Sequence, residues 1–456
     1  MSYEIEKNIN KEIFRGYDIR AIYGEDLTEN VAYTVGLGFG SYVLDKGYDR
    51  CVIGYDLRES SIALTEALIK GITDTGLNIT NIGLVTTPMY YFAQKHLHIY
   101  PGVMVTASHN PKEYNGFKIA FDDFGNACGE LIQDFRKFIE KGDFKHGQGS
   151  VITEDITDEY LRLIKKSIKL GDRKIKVVVD TANATASIIA KTVFDMFKTV
   201  EMIGLNLEPD NTFPNHHPDP CVEKNNDMLK AKVLECGADL GIGIDGDGDR
   251  VGIIDEKGNM IYIDLFAIII WRSIMDKVSN KNALFDVKCS KSLADEIIKL
   301  GGNPVCYRTG NSYMKAKMIE GNFAFGSELS GHVFFNDKWP NIDDGLYAGL
   351  RLIEILSNND KKVSELLEGI NKYYATPEIK IKSTDSEKFN LIKRVEEYCI
   401  NKNYDINTID GVRATFNDGW ALVRASNTGP DITARFEAVT EERASKLKEE
   451  FLSLLS

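Results

Sequence analysis

The chain of 456 residues carries 55 Lys and Arg against 68 Asp and Glu, a formal net charge of −13, which argues against nucleic acid or an anionic membrane as a general partner. Its hydrophobic content of 43% and charged content of 27% are those of a soluble globular protein, and the length prior suggests about three domains, not one core. Seven cysteines lie scattered without paired spacing, which fits free thiols in a reducing cytoplasm better than a disulfide framework or a zinc site.

The N-terminus, Met1 to Lys7, is charged and lacks the apolar segment of a signal peptide. Cys51 to Asp56 predicts a buried strand that leads into an amphipathic helix from Ser60 to Ile72. Val103-Met104-Val105 predicts another strand, followed by Thr106-Ala107-Ser108-His109-Asn110-Pro111. The Asn-Pro pair forces a turn, so Ser108 is displayed at a strand end and kept out of a ladder. Alone, this is a polar turn bonded to itself. Lys118, ten residues on in Asn115-Gly116-Phe117-Lys118, and an acidic loop farther along change its meaning.

The charged stretch from Lys141 to Asp158 has the look of a hinge. Lys176 to Asp180 then predicts a strand, with a helix from Ala186 to Phe197. His216-His217-Pro218-Asp219 resembles a metal site, but adjacent side chains on extended backbone point apart, so no metal role is assigned to it.

Ala238 to Ile244 predicts a buried strand, and Asp245-Gly246-Asp247-Gly248-Asp249-Arg250 follows at its end. Glycines between the three carboxylates let the backbone curl and aim them at one point. Hard oxygen ligands that converge in this way suit Mg²⁺ or Ca²⁺. An EF-hand would put Asp245, Asp247, Asp249 and Glu256 at loop positions one, three, five and twelve. Its sixth position must be Gly, however, and here it is Arg250; the flank Val251-Gly252-Ile253-Ile254 also alternates like a strand.

Ser108 and the three aspartates make sense together if Ser108 carries a phosphoryl group. Phosphoserine brings a charge of about −1.5 to −2, and three carboxylates add about −3, so the two could not sit close without a cation. One Mg²⁺ with Arg250 lowers the sum to roughly −2 and polarises the phosphorus.

Leu265 to Trp271 is apolar but far too short to span a bilayer. Ala283 to Val287 and Ser292 to Leu300 repeat the strand-then-helix plan, so three segments now predict parallel or mixed α/β sheets with ligands at strand C-terminal ends. Gly326-Ser327-Glu328-Leu329-Ser330-Gly331-His332 offers a carboxylate and a hydroxyl suited to pairs of sugar hydroxyls. Asn358 to Lys362 reads as a second hinge. After about residue 372 short strands and helices predict a separate α+β domain, which ends in a helix from Glu441 to Leu455. Within it, Arg424-Ala425-Ser426-Asn427-Thr428-Gly429-Pro430 gathers a guanidinium, two hydroxyls, an amide and a glycine N–H, the donors a phosphate dianion wants.

These pieces, in this order, resemble the α-D-phosphohexomutase family, above all its bacterial phosphomannomutase/phosphoglucomutase branch. The resemblance covers essentially the whole chain, from Phe14-Arg15-Gly16-Tyr17-Asp18-Ile19-Arg20 to Arg424–Pro430, with Phe213 to Pro220 as a further family-like stretch. It implies three similar α/β domains with mixed sheets and a smaller C-terminal α+β domain around a central cleft. The expected boundaries are 1–152 for the phosphoserine domain, 153–257 for the metal domain, 258–371 for sugar recognition and 372–456 for phosphate binding.

The implied activity is intramolecular phosphotransfer between hexose 6-phosphate and hexose 1-phosphate, of mannose, glucose or both. It would run through phospho-Ser108 and a hexose 1,6-bisphosphate that also serves as activator. Phosphoglucosamine mutase and sugar-bisphosphate synthase share this chemistry and stand as alternatives; a non-catalytic sugar-phosphate sensor is the rival of another class.

By the same resemblance Mg²⁺ is held by Asp245, Asp247, Asp249 and the Ser108 phosphate. Lys118 is general base or acid, and Arg20 and His332 assist. Tyr17, His109, Arg250, Lys288, Gly310, Asn311, Glu328, Ser330 and His332 contact substrate, and Arg424, Ser426, Asn427 and Thr428 hold the phosphate that is not reacting. A cytoplasmic monomer or weak homodimer that takes hexose phosphates is expected, and the fourth domain would move to let the intermediate turn end for end. Three departures from the branch stand out. Asn311 replaces a usual His, Gly429 replaces a usual second Thr, and Asp180-Thr181-Ala182-Asn183-Ala184 lacks the usual glycines.

Overall fold

A computed structural model describes residues 3–123, 125–384, 386–426 and 431–455. The chain divides into two compact units, one of Met1–Ile261 with Ser330–Leu366, the other of Tyr262–Leu329 with Leu367–Ser456.

The first unit holds two sheets. Six strands run in the order Ile19–Ile22, Tyr114–Ala120, Gly102–Val105, Arg50–Tyr55, Asn78–Leu84, Val151–Thr153. The first three pair antiparallel, and Gly102–Val105 through Val151–Thr153 run parallel. Helix Ser61–Asp74 packs on this sheet, and helix Glu29–Asp45 packs on that helix at very close range. A Cβ on Gly71 would lie 2.1 Å from the Tyr33 carbonyl oxygen, and one on Gly36 2.4 Å from that of Leu68. Glycine at both positions is what lets the two backbones meet.

The second sheet runs Met260–Ile261, Val251–Asp255, Leu240–Ile244, Ile175–Asp180, Val200–Leu205. Its three inner strands are buried on both faces almost throughout, while the edge strand Val200–Leu205 is partly exposed. Helix Gly345–Ser357 packs against three of them, with Gly349 so near Ile242 that a Cβ would fall 2.6 Å from its Cδ1.

In the second unit Asn282–Asp286 is flanked in parallel by Asn303–Tyr307 and Phe325–Ser327. A separate antiparallel sheet joins Asp431–Ala438, Gly419–Ala425, Val412–Phe416 and Asp405–Asn407 in that order, with Tyr374–Ala375 and Ile379–Lys382 both on Asp431–Ala438. Helices Lys388–Asn401 and Glu441–Leu452 cover it. The α/β plan of the first three sheets and the α+β character of the tail are those expected from the strand-then-helix pattern.

Local expectations fared unevenly. The stretch from Lys141 to Asp158 is no loose hinge, because Val151–Thr153 joins the first sheet beside Ile79, Thr80 and Asn81. Gly147 and Gly149 lie so near residues 75–77 that a Cβ would meet backbone at 2.8 and 2.0 Å. Asn358 to Lys362 is tied down too, since Arg173 donates to the carbonyls of Asn359 (3.1 Å) and Lys361 (2.7 Å). The expected helix from Ala186 to Phe197 is split into a 3₁₀ turn, Thr185–Ile188, and Ala190–Asp195. Ile189 sits at φ −134°, outside the helical region, which separates the two pieces; Thr185 N, at the start of the 3₁₀ turn, donates to the Gly246 carbonyl. None of the seven cysteines is in a disulfide. Among the described residues no helix is long and apolar enough to cross a membrane.

Candidate active site

Strand ends build the site in the first unit. Gly102–Val105 delivers Ser108, and Leu240–Ile244 delivers Asp245. Ser108 is buried at φ +52°, a left-handed conformation that costs a non-glycine residue about 1–2 kcal/mol. Two clamps hold it there. Its N–H donates to Thr106 Oγ1 at 2.9 Å, and its carbonyl accepts from Arg58 Nη2 at 2.7 Å. Arg58 also donates to the carbonyls of Asn110, Pro111 and Tyr114, at 2.7, 2.7 and 3.0 Å, and lies 3.2 Å from Asp56. One buried guanidinium thus fixes the backbone of the whole serine loop.

The acidic loop approaches the serine loop without a gap. A Cβ on Gly246 would lie 2.2 Å from the Ser108 carbonyl oxygen, so only glycine fits. Ser108 Oγ stands 3.2 Å from Asp245 Oδ2 and 3.3 Å from His109 Nδ1. Asp245 Oδ1 accepts from the N–H groups of Gly248 and Arg250, both at 3.0 Å, which folds the loop back on itself.

Asp247 Oδ2 accepts from Thr87 Oγ1 (2.6 Å) and Lys118 Nζ (2.7 Å), and Lys118 reaches Asp249 Oδ2 at 2.6 Å. Thr87 opens the helix Thr87–Leu97, capped by Thr86 with Pro88 in its first turn, so the positive end of that helix faces a carboxylate. A second helix start is tied to the same loop, for Gly345 N donates to the Gly248 carbonyl at 3.0 Å. His332 is carried in beside them. Its backbone bridges Arg250, and its Nδ1 lies 2.9 Å from Asp343 Oδ2 and 3.5 Å from Asp249 Oδ1. Arg20 donates to Asn110 Oδ1 at 3.0 Å and pairs with Asp18. Tyr17 is half-buried in the loop just before that strand.

The charges push one another hard. Burial raises the Asp245 carboxyl well above the usual range, and Asp247 and Asp249 raise it further. Burial opposes the Lys118 charge, but Asp247 and Asp249 outweigh it and hold the ammonium proton firmly. For Asp249 burial works upward, yet Lys118 and His332 bring its carboxyl below the usual range. Burial, then Arg250, Arg20 and His332, lower His109 well below an ordinary imidazole.

The three aspartates offer oxygens within 4.8 Å of one another, all buried, and among the described residues Asp247 Oδ1 and Asp249 Oδ1 have no hydrogen-bond partner. Buried carboxylate oxygens without donors are what a hard divalent cation would satisfy, so these residues fit Mg²⁺. His216 and His217 belong to no such cluster; Asp180 engages His216 instead.

In the second unit Lys288, Gly310, Glu328 and Arg424 lie around Asp286, Thr309 and Asp410. Asp286 accepts from Thr309 Oγ1 at 2.8 Å and from Leu329 N at 3.2 Å. Asp410 accepts from Thr309 N and Arg424 Nε, both at 2.9 Å. Glu328 is buried and accepts from Gly310 N at 2.8 Å. Lys288 Nζ lies 3.3 Å from Glu378 and 4.0 Å from Asp286. Burial opposes its charge, but these two carboxylates raise its pKa.

Among the described residues Arg424 Nη2 is buried without a hydrogen-bond partner, a donor ready for an anion. Asn311 is buried at the start of helix Asn311–Gly321. The Ser426 carbonyl accepts from Lys388 Nζ at 3.1 Å, and Ser330 is half-buried at the edge of the first unit's second segment. Asn427 and Thr428 lie outside the described residues.

Four family models match in sequence: phosphoglucomutase/phosphomannomutase alpha/beta/alpha domain I at residues 11–146, domain II at 158–258, domain III at 264–373, and the C-terminal domain at 378–454. The phosphomannomutase/phosphoglucomutase of Pseudomonas aeruginosa is 40% identical over 443 residues, covering 97% of this chain and 95% of that protein. A phosphoglucomutase of Neisseria gonorrhoeae is 37% identical, with 98% and 97% covered. The crystal structure of a phosphoglucomutase/phosphomannomutase family protein from Burkholderia thailandensis superposes with a TM-score of 0.90 at 35% identity, over 99% of this chain and 98% of that one. The chain belongs to the phosphoglucomutase/phosphomannomutase family and is an enzyme, a phosphohexomutase.

Arg58 and Thr87 escaped the sequence reading. Thr86-Thr87-Pro88 is a legible helix start, but nothing local says that it meets Asp247, 160 residues away. Arg58→Lys is expected to cost about 2–4 kcal/mol, because an ammonium cannot replace four directed bonds from a charged donor. Urea unfolding beside a turnover assay checks this, with kcat expected to fall along with stability.

Proposed function

We propose that Ser108 carries the phosphoryl group and that this chain interconverts the 6-phosphate and 1-phosphate of mannose or glucose. The observation that supports it most is Ser108 Oγ, held in a strained loop 3.2 Å from Asp245. In the forward step the Ser108 Oγ–phosphorus bond breaks and a bond forms from phosphorus to the free sugar hydroxyl, giving a hexose 1,6-bisphosphate. In the second step the other phosphate returns to Ser108 Oγ and the isomeric monophosphate leaves.

Asp245, Asp247 and Asp249 would hold Mg²⁺, which would offset phosphate charge and polarise the phosphorus. The sugar hydroxyl gives up its proton as phosphorus is attacked. Lys118, which Asp247 and Asp249 keep protonated, is poorly suited to take it before the metal binds. We assign that uptake to His332 at Nε2, with Asp343 at Nδ1 steadying the imidazolium that forms. With the Asp247 and Asp249 charges shared by a cation, Lys118 would release a proton to Ser108 Oγ as the phosphoryl group departs; in the second step Lys118 takes it back from Ser108 while His332 protonates the departing sugar oxygen. Arg20 fixes Asn110 and so the serine loop. Arg250, Tyr17 and His109 complete the surroundings of the reacting phosphate.

Glu328, with Ser330, Gly310 and Asn311, is assigned to sugar hydroxyls; Arg424, Lys288, Ser426, Asn427 and Thr428 are assigned to the second phosphate. Seven free thiols support a cytoplasmic setting. A coupled assay of mannose 1-phosphate against glucose 1-phosphate, each with bisphosphate activator, tests the assignment. Turnover of neither would sink it.

The two recognition loops should separate cleanly. Glu328→Ala is expected to weaken hexose phosphate binding by about 1.5–3 kcal/mol, the value of hydrogen bonds to a charged acceptor, and to spare inorganic phosphate. Arg424→Ala removes a guanidinium aimed at phosphate oxygens and is expected to weaken both ligands. Calorimetry with each ligand on each variant reads the difference; the opposite pattern reverses the two roles.

A further inference from the structure

His216 takes no part in the chemistry above, yet the fold ties it to the acidic loop. Its Nε2 lies 3.0 Å from Asp180 Oδ2, and its Nδ1 lies 3.0 Å from the His217 carbonyl oxygen. Both neighbours are acceptors. A neutral imidazole has one N–H and cannot donate to two; only the imidazolium does.

The Asn206 amide nitrogen stands farther from Nε2, at 3.3 Å. Its orientation is fixed, because Asn206 Oδ1 accepts from Asn215 Nδ2 at 2.8 Å and Asn206 Nδ2 donates to Asp180 Oδ1 at 3.0 Å. That amide could satisfy an unprotonated Nε2 only by leaving a lone pair against Asp180 Oδ2.

The segment so anchored grips the metal loop. Two residues after His216, the Pro218 carbonyl accepts from Gly246 N at 3.2 Å. The Gly246 carbonyl in turn accepts from Thr185 N at 3.2 Å, so the N–H and the carbonyl of Gly246 are both held from the second sheet's loops. Pro220 packs on Gly252 closely enough that a Cβ there would fall 2.6 Å from its carbonyl oxygen. Phe213, at the other end, lies under the Arg58 guanidinium at 5.6 Å. Gly246 is the residue whose fit against Ser108 tolerates no side chain.

We propose that His216 is a charged positioning residue: as an imidazolium it fixes Pro218, and Pro218 sets Gly246 and hence the spacing of Asp245 and Asp247 against Ser108. Loss of its proton turns a lone pair on the His217 carbonyl or on Asp180, and the segment must shift. The groups that face it are Asp180 and Asn206 from the second sheet and His217 on its own segment; His217 in turn faces Asp219 and Arg58. Burial opposes the His216 charge most strongly, but the Asp180 hydrogen bond, the Asp180 charge and the His217 carbonyl together outweigh it and raise the pKa above that of an ordinary imidazole. With a raised pKa, the clamp is complete below the ordinary value and is lost as pH rises through the folded one.

The inference rests on Asp245–Asp249 being the metal loop, so its test reads His216 directly as well as through Mg²⁺. Imidazole-¹⁵N NMR of the full chain, with His216 assigned by H216Q, is expected to show both ring nitrogens protonated at neutral pH and a titration above about 6.5. D180N, which keeps the residue's size, is expected to bring that titration down. Between about pH 6 and 8.5 the Mg²⁺ concentration for half-maximal turnover is expected to move about tenfold further in the wild type than in H216Q, the scale seen when groups behind a metal ligand are lost. A neutral His216 at pH 7 would overturn the proposal, and so would a wild-type pH step retained unchanged in H216Q. If Mg²⁺ has no effect on either protein while His216 titrates as stated, the metal-loop assignment fails, and the positioning role with it.

Discussion

Ser108→Ala is expected to lower turnover about 10³-fold or more, because it removes the covalent relay and not merely a contact. The fold should survive. The two clamps on this residue act on its backbone, through Thr106 and Arg58, and alanine bears the φ of +52° no worse than serine does. What disappears is the hydroxyl 3.2 Å from Asp245. Thermal unfolding should stay within a few degrees of the wild type. Mass spectrometry of freshly purified protein should place one phosphate on the Ser108 peptide and none on the variant. Stoichiometric phosphate elsewhere, with Ser108 bare, would sink the mechanism.

Asp247→Asn should come close in effect, with turnover down about 10²-fold and the Mg²⁺ requirement raised 10- to 100-fold, as when a metal site loses a supporting charge. Asparagine keeps the volume of the side chain and can still accept from Thr87. It loses the charge that holds Lys118 on one side and the unpartnered Oδ1 on the other. Metal-free variant protein should be no less stable than the wild type, since burial and the neighbouring Asp247 and Asp249 charges both disfavour ionised Asp245. Activity titrated against Mg²⁺, beside melting curves without it, measures both effects. Unchanged metal response would refute the ligand assignment.

What could be read from the sequence was whatever chemistry is packed into one short stretch. Asp245 to Arg250 declares itself because three carboxylates between glycines serve no ordinary turn, and the strand before it supplies the direction in which they point. Ser108 needed that loop as context, and the structure does bring the two within hydrogen-bond distance. Residues that act through distant partners left no such mark. Arg58 follows an unremarkable strand end, Thr87 opens a helix, and Asp343 sits in a two-residue strand; each matters only because of what the fold sets opposite it. The strand Val151–Thr153 was hidden for another reason. All three of its residues are exposed, so no hydrophobic alternation marks it among the surrounding charges. The helix expected after Asp180 is broken at Ile189, whose backbone leaves the helical region, a departure that the local pattern of Ala186 to Phe197 does not mark.

The first unit is completed by residues 330–366, which come only after most of the third family segment has been made. Helix Gly345–Ser357 covers the sheet whose strand Val251–Asp255 was finished long before. At about 5–20 residues per second, roughly a hundred residues must be translated in between. A nascent chain would therefore carry one face of an apolar sheet uncovered for about 5–20 seconds, and His332 would not yet have joined the aspartates. Synthesis halted before residue 330 would leave that face bare for good, a hydrophobic surface fit for a chaperone or for aggregation.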